Sequence, residues 1–152
     1  MSAPTWRIRD AKVDEIGALE HLQERASMIW DDDRVFLLAN PGIIVLPDEQ
    51  VRKGQVRVAA DGDTFLGFSA ILALGAEAVE LDGLFVDPDH MRRGIGAALV
   101  ADVAARARAG GATRLEVTAN TNALAFYRRE GFVIVGEVMT TFRPAPRMHL
   151  AL

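Results

Sequence analysis

Residues 84–99 read Leu-Phe-Val-Asp-Pro-Asp-His-Met-Arg-Arg-Gly-Ile-Gly-Ala-Ala-Leu. An apolar strand feeds a short polar turn, and the turn runs through Arg92, Arg93, Gly94, Ile95 and Gly96 into a long helix. Glycine carries no Cβ, so the chain can bend tightly here and bring its main-chain N–H groups close to a ligand. The first N–H groups of a helix have no partner within it, and the helix dipole makes that end partly positive. Such an end is a ready site for phosphate or pyrophosphate, and two arginines add fixed charge and further donors. A glycine inside a helix costs roughly 1 kcal/mol relative to alanine, so two near one helix start point to a reason beyond packing.

Three phosphate-binding patterns compete for this segment. The P-loop requires Gly-x-x-x-x-Gly-Lys-Ser/Thr, and no such run occurs. The dinucleotide fingerprint requires a third glycine or alanine where this chain has Leu99. The segment resembles the third, the Arg/Gln-x-x-Gly-x-Gly/Ala turn of the GNAT superfamily of N-acetyltransferases. It departs at the first position, where Met91 stands in place of the Arg or Gln whose side chain meets the pyrophosphate in that pattern. The main-chain donors do not depend on that residue. Downstream, residues 120–132 read Asn-Thr-Asn-Ala-Leu-Ala-Phe-Tyr-Arg-Arg-Glu-Gly-Phe and resemble a second signature of the same superfamily. Asn120, Ala123, Phe126, Tyr127, Gly131 and Phe132 occupy its defining positions. Ala123, Phe126 and Tyr127 share one helical face, and Gly131 reads as the helix stop with Phe132 folding back on it.

The resemblance covers roughly residues 78–142 and implies transfer of an acetyl group from acetyl-CoA, as co-substrate, to an amine. It implies that main-chain groups of Leu84, Phe85 and Val86 pair with pantetheine. Met91, Arg92, Arg93, Gly94, Ile95, Gly96 and Ala97 would surround the pyrophosphate. Asn120 and Phe126 fall on the cofactor side, and Tyr127 matches the family's general acid. Glu80 precedes Gly94 at the spacing where some members carry a glutamate base, and Asp82, two residues on, lies on the same strand face; either is a candidate base. Asp31, Asp32 and Asp33, with Trp30 as a cation–π wall, are candidates for drawing in a cationic amine. The plainer reading of the aspartates, a helix cap and a solvated loop, is favoured. His21, His90 and His149 share no ligand spacing and read as structural or surface groups. No metal is expected. Two alternatives stay open, a larger acyl-CoA as donor and a catalytically silent CoA-binding module. The acceptor, a small molecule or a peptide, is not readable from the chain.

A chain of 152 residues, half of them hydrophobic, suggests a single domain over 1–152 with a sizeable core. No apolar run reaches the length of a membrane span. The opening Met-Ser-Ala-Pro-Thr-Trp-Arg lacks the apolar stretch of a signal peptide, so a cytoplasmic location is expected. Cysteine is absent, which excludes disulfides and thiol catalysis. A formal charge of −4 argues against nucleic-acid binding and agrees with a positively charged acceptor. Oligomeric state is open, with a homodimer among the options.

Periodicity gives a strand over 5–9, a helix over 14–29, a short helix over 34–39 and a hairpin of 55–60 with 64–74. A strand over 78–86, the glycine turn and its helix, a strand over 114–119 and a helix over 122–130 follow. Strands over 132–142 and 147–152 flank a turn at Pro144-Ala145-Pro146, and residues 43–54 give no clear signal. This order implies an α/β (α+β) fold: a mixed sheet with helices on both faces, parallel where 78–86 meets 114–119 across a helical crossover. The resemblance makes the sheet mostly antiparallel, of six to seven strands, with the parallel pair splayed at the cofactor site.

Overall fold

A computed structural model describes residues 5–141 and 143–152. Seven strands are hydrogen-bonded into one sheet in the order β1-β2-β3-β4-β5-β7-β6. They are β1 (Arg7–Asp10), β2 (Val56–Asp61), β3 (Thr64–Ala73), β4 (Ala78–Val86), β5 (Arg114–Thr118), β6 (Val133–Met139) and β7 (Pro144–Ala151). The helices are α1 (Ile16–Met28), α2 (Asp31–Ala39), α3 (Asp48–Arg52), α4 (Ile95–Ala109) and α5 (Leu124–Arg129). The pair β4–β5 is parallel, joined through α4, and the β1–β2, β2–β3, β5–β7 and β6–β7 pairs are antiparallel. The chain divides into two compact units, one comprising residues up to Ala70 with Gly83–Leu99, the other Ile71–Asp82 with Val100–Leu152.

In the first unit, α1 follows the expected stripe. Leu19 and Leu22 are fully buried with Leu46, Val51, Val56, Val58 and Phe68, and each such aliphatic side chain contributes about 1.5–3 kcal/mol by leaving water. A second cluster gathers Ala59, Leu66, Ile95 and Leu99, with Leu84 and Val86 of β4 packed against it. Gly67 lets β3 run close to β4, because a Cβ there would stand 2.7 Å from the carbonyl oxygen of Phe85. Residues 43–54 supply α3, a helix too short for its periodicity to register in the sequence.

In the second unit, β5 alternates buried Leu115 and Val117 with half-buried Arg114, Glu116 and Thr118. The turn that closes α5 behaves as its sequence suggests: Phe132 N–H donates to the Tyr127 carbonyl and Gly131 N–H to that of Arg128. Several element ends differ from expectation, β6 stopping at Met139 among them. Helix α2 begins at Asp31, so the three aspartates form its first turn, where negative charge complements the helix dipole. Strand β7 begins at Pro144 and includes both prolines, which pair with Met139 and Glu137 of β6. Proline is tolerated at a strand's first residues, and the Pro146 carbonyl still accepts from Ala119 N–H. The expected strand end at Phe142 and the reading of residues 1–4 lie outside the described residues. No helix among the described residues is long and apolar enough to cross a membrane.

Candidate active site

The residues nominated from the sequence fall in both units. In the first, the segment after β4 is tied down before it reaches α4. Asp87 is buried; its N–H donates to the Leu66 carbonyl at 2.8 Å, and its Oδ1 accepts from Asp89 N–H at 2.9 Å. Arg25 of α1 grips its other oxygen, Oδ2. Burial would raise the Asp87 carboxyl, but the hydrogen bonds from Arg25 and Asp89 hold it below its ordinary range. Beyond this anchor Arg92 sits at φ +65° and Gly94 at φ +77°. A non-glycine residue in the left-handed region is strained by about 1–2 kcal/mol. Left-handed residues on either side of Arg93 are the kind of backbone that can aim successive main-chain N–H groups to one side.

The first hydrogen bond of α4 is Ala98 N–H to the Gly94 carbonyl, so the N–H groups of Ile95, Gly96 and Ala97 precede the helical ladder. Met91, Arg92, Arg93 and Gly94 are exposed, while Ile95 is buried and fixes the helix start to the core. Arg93 Nη1 lies 2.9 Å from His90 Nδ1. Leu84 and Val86 direct side chains into one core cluster, and Phe85 stacks on Phe68 with ring centroids 5.3 Å apart. Trp30, Asp31 and Asp32 are exposed and Asp33 is buried; Asp31 pairs with Arg34 at 2.5 Å within the same helix.

In the second unit Tyr127 is buried, with Phe126 and Phe132 each edge-on to its ring at 5.3 Å. Burial first, and the charge of Glu80 second, push its phenol well above the ordinary value. Asn120 Oδ1 accepts from Asn122 N–H at 2.9 Å, capping the short 3-10 turn before α5, and from Arg143 at 3.3 Å.

Glu80 and Asp82 share a strand face as expected, but their surroundings differ: Asp82 is exposed, and Glu80 is held by Arg147 of β7. Arg147 Nη1 donates to Glu80 Oε1 at 2.8 Å, and Nη2 stands 2.6 Å from Oε2, off the line of a directed hydrogen bond. The same guanidinium reaches Glu116 Oε1 and Thr118 Oγ1, each at 3.0 Å. Glu116 also receives Arg114 Nε at 3.1 Å and His149 Nε2 at 3.0 Å. Burial would raise the Glu116 carboxyl, but the hydrogen bonds from Arg147, Arg114 and His149 hold it below its ordinary range. Sequence reading missed this cluster. The signal available was β5 itself, whose polar residues recur at every second position beside a core face and therefore need partners. Among the described residues no cluster of His, Cys, Asp or Glu is arranged to hold a metal ion.

A mixed sheet in which β4 and β5 run parallel and are joined through α4 is shared with solved N-acetyltransferases. The chain superposes on the GCN5-related N-acetyltransferase of Rhodopseudomonas palustris with a TM-score of 0.79, 19% identity and coverage of 100% of this chain and 99% of that one. It superposes on the PaiA N-acetyltransferase of Thermoplasma acidophilum, solved in complex with coenzyme A, with a TM-score of 0.78, 15% identity and 100% coverage of both chains. A sequence model of the acetyltransferase (GNAT) domain matches residues 52–134, and the chain belongs to that family. It is 42% identical over 82 residues to the N-alpha-acetyltransferase RimI of Mycobacterium tuberculosis, a match covering 51% of this chain and 51% of that protein. The chain thus aligns with about half the length of that curated relative.

Proposed function

We propose that the chain transfers the acetyl group of acetyl-CoA to a primary amine, by direct attack of the amine on the thioester. The observation that carries this reading is the turn at Arg92–Gly94, where left-handed backbone and the first N–H groups of α4 form a site suited to a diphosphate. The donor set fits coenzyme A: main-chain N–H groups of Gly94–Ala97 with Arg92 and Arg93 for the diphosphate, and the main chain of Leu84–Val86 for pantetheine. By the family pattern Asn120 and Phe126 also serve coenzyme A. PaiA, of the same fold, was solved with coenzyme A bound.

Tyr127 serves the departing sulfur. A CoA thiol has an ordinary value near 8.5, below that of a phenol near 10. Because Tyr127 is pushed further up, complete proton transfer from it is uphill, and it acts as a fixed hydrogen-bond donor to the developing thiolate. The match to an N-alpha-acetyltransferase favours the α-amino group of a peptide as acceptor. On the acceptor side, Glu80 has both oxygens against Arg147, while Asp82 is the exposed carboxylate of the same strand face. Asp31–Asp33 form the first turn of α2, with Trp30 at its cap position, rather than a cap and a loop.

The test is release of free CoA thiol from acetyl-CoA in the presence of peptides with varied first residues and of small amines. The expected result is release that depends on a peptide amine. Coenzyme A binding with no amine-dependent release would establish a binding module instead, and faster release from a longer acyl-CoA would reassign the donor.

A further inference from the structure

Side chains from three strands meet in one row in the second unit. The parallel ladder of β4 with β5 runs from Ala78↔Arg114 to Glu80↔Glu116 and stops there, although β4 continues to Val86 and β5 to Thr118. On the other side of β5, Glu116 faces His149 of β7. The last rung before the parallel strands part therefore carries Glu80, Glu116 and His149 side by side, and Tyr127 senses the charge of Glu80.

The chemistry of this row singles out His149. Glu116 is an ionised carboxylate, and such a group only accepts hydrogen bonds. The ring nitrogen facing it, Nε2 at 3.0 Å, must therefore carry the proton. In the neutral imidazole this leaves the Nδ1 lone pair free. Nδ1 has no hydrogen-bond partner among the described residues, and the side chain is 32% exposed. The charged groups around the ring are Glu116 and its partner Arg114 from β5, Arg147 from β7 and, through Arg147, Glu80 from β4; β6 places Val133 opposite. Two carboxylates sit against two guanidinium groups, and the imidazole is the member of the row that keeps a lone pair open.

We propose that His149, oriented by Glu116, is the proton acceptor for the incoming ammonium group. This rests on the acetyl-transfer reading above. The ammonium loses one proton to Nδ1, and the freed nitrogen lone pair forms the C–N bond at the thioester carbonyl. The C–S bond breaks and its electron pair leaves on sulfur. The second amine proton passes to the sulfur, aided by the Tyr127 hydroxyl, and the imidazolium returns its proton to water. Arg147 is a positioning residue that holds Glu80 and Glu116 side by side.

The experiment is the pH dependence of kcat/KM for acetyl-CoA with a peptide acceptor that the wild-type enzyme acetylates, for wild type, His149→Gln and His149→Ala. Glutamine keeps a donor toward Glu116, and far-ultraviolet circular dichroism with urea unfolding checks that both variants fold. We expect His149→Gln to lose on the order of 10²-fold in kcat/KM near neutral pH together with the acidic fall of the wild-type profile. Added imidazole should recover part of the rate in His149→Ala, which a purely structural role would not allow. Wild-type rates and an unchanged profile in His149→Gln would overturn the proposal while leaving the acetyltransferase reading intact. Absence of transfer by the wild type to any amine would remove that reading and this proposal with it.

Discussion

Arg147 holds Glu80 across the sheet, with Nη1 2.8 Å from Oε1 and Nη2 2.6 Å from Oε2, and the same guanidinium holds Glu116 at 3.0 Å. One cation is thus shared by two half-buried carboxylates that sit on adjacent strands at one rung, with Arg114 a second cation on Glu116. Two such charges side by side without a cation would repel in a poorly screened place. We expect Arg147→Ala to lower unfolding stability in urea by about 2 kcal/mol or more, and Arg147→Lys, which lacks the planar fork, to lie between. A loss below about 0.5 kcal/mol would show that solvent already screens the pair.

Acid should destabilise the fold through named carboxylates. Glu15, bonded by Arg9, and Asp87 and Glu116, held as described, all lie below their ordinary values in the folded state. The unfolded chain therefore binds more protons, so their contribution is complete above the ordinary values of 3.8 for Asp and 4.5 for Glu. It is lost as pH falls through those values toward the lower folded ones. Urea midpoints measured from about pH 6 down to about pH 3 should fall throughout the lower half of that range, and Glu116→Gln should flatten the slope.

Tyr127 is packed between two phenyl rings, so removing only its hydroxyl leaves the α5 core intact. Tyr127→Phe should lower kcat on the order of 10²-fold with the Kd for acetyl-CoA unchanged. Because its phenol is pushed upward by burial and by Glu80, the wild-type kcat profile should show no alkaline limb from this residue up to about pH 10. Unchanged turnover in the variant would exclude a chemical role for the hydroxyl.

Arg92 sets two effects against each other. Its φ of +65° is strained, and glycine would relieve that strain. Arg92→Gly should therefore leave stability unchanged or raise it by up to about 1 kcal/mol while weakening coenzyme A binding about tenfold through the lost charge. Thermal unfolding and calorimetric titration check the two signs separately. Lower stability together with full affinity would reverse the assignment.

The bounds of β4 and the start of α4 were legible because an apolar strand, a polar turn and two glycines each leave a local mark. The Glu80–Arg147–Glu116–His149 cluster was not. Its members are brought together by the placement of β7 beside β5, and nothing local to Arg147 or His149 announces which strand will be the neighbour. Pro144 and Pro146 read locally as a turn, and pairing with Met139 and Glu137 overrides that preference and brings both into β7. The aspartates of α2 read as a loop in the sequence because a first turn made of acids has no apolar periodicity to reveal it.

The central claim is that main-chain N–H groups at the start of α4 hold the diphosphate of coenzyme A. Titration of coenzyme A into uniformly 15N-labelled protein, followed by amide spectra, reads those groups directly. The account predicts that the largest shifts fall on the amides of residues 93–97 and saturate. Amides there that stay fixed at about millimolar coenzyme A, a concentration at which even a weak site fills, would contradict it.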